Sequence, residues 1–231
     1  MSNDDPNSPI NVANNLMLIN QKIEASLKGA NRQKDDVKLI AVSKVQPDEK
    51  IEVALAEGHR LFGENRVQEA ALKWPALKIK YPNAKLHLIG PLQTNKVRDA
   101  ITLFDVIETV DRPKLAEEIK KQSLKSSLDI TCYVQVNTGE EAQKAGVFPT
   151  EAEEFVRYCR DTIDLKIEGL MCIPPINEEP ALHFSLLSGL AERLCLPVLS
   201  MGMSDDFETA IAFGATHIRV GSSIFGQREN G

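Results

Sequence analysis

Short apolar runs alternate with amphipathic stretches along almost the whole chain. The run Val37-Lys-Leu-Ile-Ala-Val-Ser43 is apolar and β-branched, as expected of a strand buried on both faces. Pro47 and Asp48 then open a helical stretch that ends near Gly58, a favourable residue for a helix C-terminus. The same alternation recurs through strands predicted at Leu61–Gly63, Lys85–Gly90, Val106–Val110, Ile130–Val136, Leu165–Cys172 and Pro197–Met201. An eighth falls within His217–Phe225. The intervening helices are predicted at 67–80, 94–104, 112–125, about 150–161, 180–194 and 205–213. Ahead of the repeat, Val12, Leu16, Ile19, Ile23 and Leu27 recur at helical spacing, which predicts an extra amphipathic helix over 10–29.

Eight strands alternating with helices predict an α/β fold, a single (β/α)8 barrel carrying an additional N-terminal helix. A doubly wound open sheet is the competitor. It usually has fewer strands, and no G-x-G-x-x-G follows any strand here. Residues 1–9 are polar and read as a disordered tail, leaving 10–231 as one barrel domain.

Composition narrows the function classes. The 231 residues are 42% hydrophobic and 26% charged, with a net charge of −6. That balance gives no overall pull toward nucleic acid or an anionic membrane. No apolar stretch is long enough to span a bilayer, and the polar start MSNDDPNSPI lacks a signal peptide's basic and apolar regions. A cytoplasmic protein is expected. Cys132, Cys159, Cys172 and Cys195 form no C-x-x-C pair and lie in apolar segments, so all four read as free buried thiols. His59, His87, His183 and His217 show no metal-ligand spacing and read as structural. Glu64, Asp205 and Asp206 are either acid–base groups or, as is commoner for such residues, helix-entry charges.

In barrels of this type, chemistry collects at the C-terminal ends of strands. Lys44 follows an apolar strand directly. It is either a Schiff-base lysine made nucleophilic by partial desolvation or a strand-end lysine reaching to solvent. Ser200-Met-Gly-Met-Ser204 and Gly221-Ser222-Ser223 end strands seven and eight, where barrel phosphate sites often form. Two ordinary strand–helix turns would look similar. Arg219 points to the same side as Gly221 and needs an acceptor, either a pyridine nitrogen or a carboxylate. A lysine facing a phosphate cradle suggests a phosphorylated aldehyde, with pyridoxal 5′-phosphate the obvious candidate.

At these residues the chain resembles the YggS/PROSC family of pyridoxal phosphate homeostasis proteins. The matching pieces are Ala41-Val-Ser-Lys44, Phe62-Gly-Glu-Asn65, Ile89-Gly-Pro-Leu-Gln-Thr-Asn-Lys96, Gly169-Leu-Met171, Ser200-Met-Gly-Met-Ser-Asp205 and Arg219-Val-Gly-Ser222. They run in order from about residue 10 to 228. The resemblance implies a barrel similar to the N-terminal domain of alanine racemase, with the cofactor held as an aldimine on Lys44. It implies that Ser200, Ser204, Gly221 and Ser222 hold the phosphate. Arg219 would face the pyridine nitrogen, with Asn65 and Met171 lining the pocket. It further implies a cofactor carrier or buffer without established catalysis, expected to be a monomer and to serve apo enzymes that depend on the cofactor. The alternative is a small amino-acid racemase. With the chain ending shortly after the last strand, the C-terminal β domain that supplies the second base in alanine racemases is expected to be absent, and that expectation favours the carrier. Arg66 and Gln227 depart from the family pattern, Arg66 replacing a frequent tyrosine.

Overall fold

The computed structural model describes residues 9–226. Eight parallel strands close into a barrel in sequence order, with β8 returning to pair with β1. The strands are β1 (Lys38–Val42), β2 (Leu61–Glu64), β3 (Lys85–Leu88), β4 (Val106–Val110), β5 (Thr131–Val136), β6 (Ile167–Cys172), β7 (Val198–Ser200) and β8 (His217–Val220). The helices are α1 (Pro9–Gly29), α2 (Asp48–Ala56), α3 (Val67–Lys80), α4 (Val97–Leu103) and α5 (Pro113–Ser126). They continue with α6 (Pro149–Arg157), α7 (Pro180–Arg193), α8 (Phe207–Ala212) and α9 (Ser222–Phe225). This is the (β/α)8 architecture that the alternating pattern predicts. The tail expected over 1–9 lies outside the described residues except for Pro9, which opens α1. Gln227 also lies outside them.

Two layers of side chains result from the two faces of each strand. Outward residues such as Leu39, Ala41, Phe62, Leu86, Leu88, Cys132 and Ile218 join the helices in one continuous apolar core. The inward layer is strongly polar. His87, Glu108, Tyr133, Gln135, Ser200, His217 and Arg219 are all buried there, alongside Ile40 and Met171. The rings of His87, Tyr133 and His217 form a triangle with centroids 5.9–6.2 Å apart. They line a chamber at the N-terminal mouth of the barrel.

α1 presents Val12, Leu16, Ile19, Ile23 and Leu27 to the core, as its spacing predicts. It packs on α2, α8 and α9 and so covers the seam where β8 meets β1. Asn15 Nδ2 donates to the Ile224 carbonyl at 2.9 Å. Lys50 Nζ, buried in α2, donates to the Phe225 carbonyl at 2.9 Å and satisfies the open end of α9. Together these contacts fix the segment that follows β8.

One expectation needs correction. Cys195 is exposed, whereas Cys132, Cys159 and Cys172 are buried. Leu194 and Leu196 turn inward on either side of it, and a left-handed backbone (φ 53°) directs Cys195 outward. The eighth strand falls within His217–Phe225, as expected. The strand stops at Val220, and Ile224 and Phe225 bury themselves from the short helix α9. Among the described residues no helix is long and apolar enough to cross a membrane, and no cluster of three or more His, Cys, Asp or Glu could hold a metal ion.

Burial pushes the His217 imidazole down to about 4, from an ordinary value of 6.5. A depressed folded-state value means the stabilising difference is fully present above 6.5 and is lost as pH falls through 4. The gap corresponds to about 3 kcal/mol. We expect His217→Asn, which can keep the contact with Thr216, to flatten the fall in melting temperature between pH 6.5 and 4. A variant profile as steep as that of the wild type would contradict this assignment.

Candidate functional site

A cavity of about 190 Å³ opens at the C-terminal mouth of the barrel. Lys44 reaches it from the turn after β1, Asn65 from the end of β2 and Ser204 from the loop after β7. Arg219, Gly221 and Ser222 enter from β8 and the start of α9. Six of the eight residues singled out from the sequence therefore share one wall. Met171 and Ser200 are fully buried and lie off that wall. Val42, Gln46, Ile89, Ile173, Met203 and Gly226 complete the lining, none of them marked by the sequence as a site residue. The apolar character of Val42, Ile89, Ile173 and Met203 gives no sequence signal that separates them from core positions.

Small residues shape the mouth. A Cβ at Gly221 would stand 3.2 Å from Val42 Cβ, so glycine lets the chain pass close to the end of β1. Gly202 has φ +93°, and a Cβ there would stand 2.6 Å from Ala210 Cβ. This leaves the Ser200–Ser204 turn free to fold over α8. Asp206 Oδ1 accepts from the Met203 N–H at 2.6 Å and holds that turn, in keeping with its expected helix-entry role. The Ser222 hydroxyl donates to Ser204 Oγ at 3.3 Å, which brings the two hydroxyls together at the rim.

Beneath the cavity, Arg219 is almost completely buried. Its Nη1 donates to Ser200 Oγ and its Nη2 to the Cys172 carbonyl, each at 2.7 Å. Ser200 in turn donates to Glu108 Oε2 at 2.6 Å, and His87 Nδ1 meets Glu108 Oε1 at 2.6 Å. Burial pushes the Glu108 carboxyl up. The hydrogen bond and charge of His87, the charge of Arg219 and the Ser200 hydroxyl outweigh it, and the net direction is down. The expected acceptor of Arg219 is thus a hydroxyl and a carbonyl, with a carboxylate one hydroxyl away. Ser200 serves here as the link between Arg219 and Glu108. A guanidinium carries five donors, and two are committed, so Arg219 retains donors for the cavity it lines.

Glu64 is not the solvated helix-entry charge that its position suggests. It is the last residue of β2 and fully buried. Its Oε1 accepts from Ser43 Oγ at 2.7 Å and Trp74 Nε1 at 3.1 Å, and lies 2.9 Å from Lys73 Nζ. Burial pushes its carboxyl up, against the pull of Lys73. Nothing local in Phe62-Gly-Glu-Asn65 signals this, because the partners come from β1 and α3.

The sequence profile of the family described as "Alanine racemase, N-terminal domain" matches residues 20–229. The pyridoxal phosphate homeostasis protein of Haemophilus influenzae is 38% identical over 95% of this chain and 97% of its own length. The chain belongs to the pyridoxal phosphate homeostasis branch of the alanine racemase N-terminal domain family. A solved structure, PipY of Synechococcus elongatus with PLP bound, is 35% identical, with a TM-score of 0.78. That likeness covers 93% of this chain and all of PipY. Alanine racemase of Clostridium difficile superposes with a TM-score of 0.72 at 14% identity. It covers 94% of this chain but 56% of the racemase, and the likeness shows the shared fold.

Removing the charge of Glu108 would leave Arg219 buried without its counter-ion. Glu108→Gln should cost roughly 3–5 kcal/mol of unfolding free energy in urea titrations. Ser200→Ala, which removes one hydroxyl from the link, should cost about 1–3 kcal/mol. Equal and small losses in both would mean that the buried charges are compensated elsewhere.

Proposed function

We propose that the chain holds pyridoxal 5′-phosphate in this cavity through Lys44 and carries or buffers it, without turning over a substrate. The observation that carries the proposal is convergence. A primary amine, a fixed guanidinium and a pair of serine hydroxyls from β1, β8 and the flanking loops meet on one small cavity. When bound, the group supplies an aldehyde carbon open to attack by an amine and a phosphate that takes hydrogen bonds. The donor set fits both ends. Ser204, Ser222 and the tight turn at Gly221 suit a phosphate, and Lys44 supplies the amine. Arg219 suits the pyridine nitrogen, with Asn65 beside it. In this reading Ser200 and Met171 act from below the cavity floor, Ser200 by orienting Arg219.

Several features favour carrying over catalysis. Arginine keeps its proton, so a ring nitrogen facing Arg219 stays unprotonated and the ring withdraws electrons weakly. The titratable side chains lining the cavity, among the described residues, are Lys44 and Arg219. Racemisation generally needs a base on each face of the substrate. Tyr133 lies at the opposite mouth of the barrel with His87 and His217. The relatives are named as homeostasis proteins, and PipY has been solved with the cofactor. Reversible attachment to one lysine would let the protein pass the cofactor to cofactor-free enzymes that require it.

The test is a visible absorbance spectrum of the purified protein with added pyridoxal phosphate, then borohydride reduction and peptide mapping. The expected result is one equivalent of a yellow species, with the reduced adduct on the Lys44 peptide and the band lost in Lys44→Ala. A colourless protein, or an adduct mapped to another lysine, would overturn the assignment.

A further inference from the structure

Lys44 is bracketed by two residues whose main-chain groups are tied to one side-chain cluster. On one side the Ser43 carbonyl accepts from Lys73 Nζ at 3.1 Å, and the Ser43 hydroxyl donates to Glu64. On the other, the Val45 N–H donates to Glu69 Oε1 at 2.5 Å. Lys73 joins the two halves, 2.9 Å from Glu64 and 3.0 Å from Glu69. Glu69 and Lys73 stand four residues apart on α3, so one helix face presents both.

Val45 is the unusual link. It has φ 59°, a left-handed conformation that is an outlier for a β-branched residue. The residue is 65% exposed, so core packing does not hold the strain. Two hydrogen bonds hold it: the Gln46 N–H donates to the Ser43 carbonyl at 3.1 Å and closes the turn, and the bond to Glu69 ties the turn to α3. Glu69 itself is not part of the cavity wall.

We propose that Glu69, braced by Lys73 and Glu64, is a positioning residue for Lys44. It locks the left-handed turn at Val45 and so sets the direction from which the Lys44 amine enters the cavity. This inference rests on the reading of Lys44 as the attachment point. Its logic is that strain at a residue beside a reactive group persists where the surroundings over-determine it. Small displacements of a reacting atom are costly in rate, and a rigid turn prevents them.

The experiment uses the full chain, freed of cofactor, as wild type, Glu69→Ala, Glu69→Gln and Val45→Gly. Each is mixed with pyridoxal phosphate and quenched with borohydride over time. The lysine nitrogen bonds to the aldehyde carbon, the aldehyde oxygen leaves as water, and hydride from borohydride saturates the carbon–nitrogen bond. The Lys44 adduct is then counted by mass spectrometry. In parallel, formaldehyde and cyanoborohydride methylate the cofactor-free proteins, with exposed Lys34 as the internal standard. Melting temperatures are recorded throughout.

Glu69→Ala should slow adduct formation by on the order of tenfold and change the Lys44:Lys34 methylation ratio. Glu69→Gln should restore the wild-type rate, because its amide oxygen still accepts from the Val45 N–H. Val45→Gly should melt no lower than the wild type, since glycine relieves the strain, yet form the adduct more slowly. That split between stability and rate is one a merely structural role would not produce. If Glu69→Ala fails to fold, Val45→Gly decides alone. Unchanged rates and methylation ratios in the folded variants overturn the proposal. An adduct absent from Lys44 in the wild type overturns the underlying reading of the site, and the methylation ratios then decide the positioning role by themselves.

Discussion

A carboxylate at the centre of a closed barrel is the constraint on which the rest of this structure depends. Glu108 has no exposed surface, and an ionised group in that position must be answered by charge and hydrogen bonds. The answer comes from three other strands. His87 on β3, Ser200 on β7 and, through Ser200, Arg219 on β8 converge on it. A barrel that slipped its register would bury the charge unpaired, because the alternate residues on each strand point to the outer, apolar layer. Satisfying Glu108 therefore fixes both the strand alignment and the attitude of Arg219 beneath the cavity. Specificity of this kind is a reason for a barrel to keep a polar interior despite its desolvation cost.

The upper mouth is built by a different means. The segment after β8 is held from outside by α1 and α2, through Asn15 and Lys50, so Ser222 stands where it does because two surface helices clamp α9. The turn after β1 is held by α3 through Glu69 and Lys73. The candidate site thus sits between a floor fixed by the barrel's polar core and a rim fixed by the helical layer. In the proposed function, the floor orients the ring of the cofactor and the rim grips its phosphate and its aldehyde.

How much of this was legible in the sequence follows from where each signal resides. Strands buried on both faces read as apolar runs, so Val37–Ser43 anticipates β1 closely, and the eight-fold alternation anticipates the barrel. Lys44, Arg219 and the two serine-rich turns stood out because polar or small residues interrupt apolar segments at strand ends. Glu108 did not stand out, since its partners lie 21 and 92 residues away and a lone Glu in Val-Ile-Glu-Thr-Val has no local signature. Glu64 was misread for the same reason. Ser200 was grouped with the rim serines, although β7 ends at that residue and its side chain points inward to Glu108.

The account's central claim is that the polar core presents a permanently charged guanidinium to the ring nitrogen of a lysine-bound cofactor. The most direct measurement is the nitrogen-15 chemical shift of ring-labelled pyridoxal phosphate bound to the full chain, followed with pH. The account predicts an unprotonated nitrogen across the neutral range, accepting a hydrogen bond from Arg219 and shifted further toward the free-base value in Arg219→Ala. A protonated ring nitrogen at neutral pH would contradict it, and with it the argument that this barrel holds its cofactor without setting it to work.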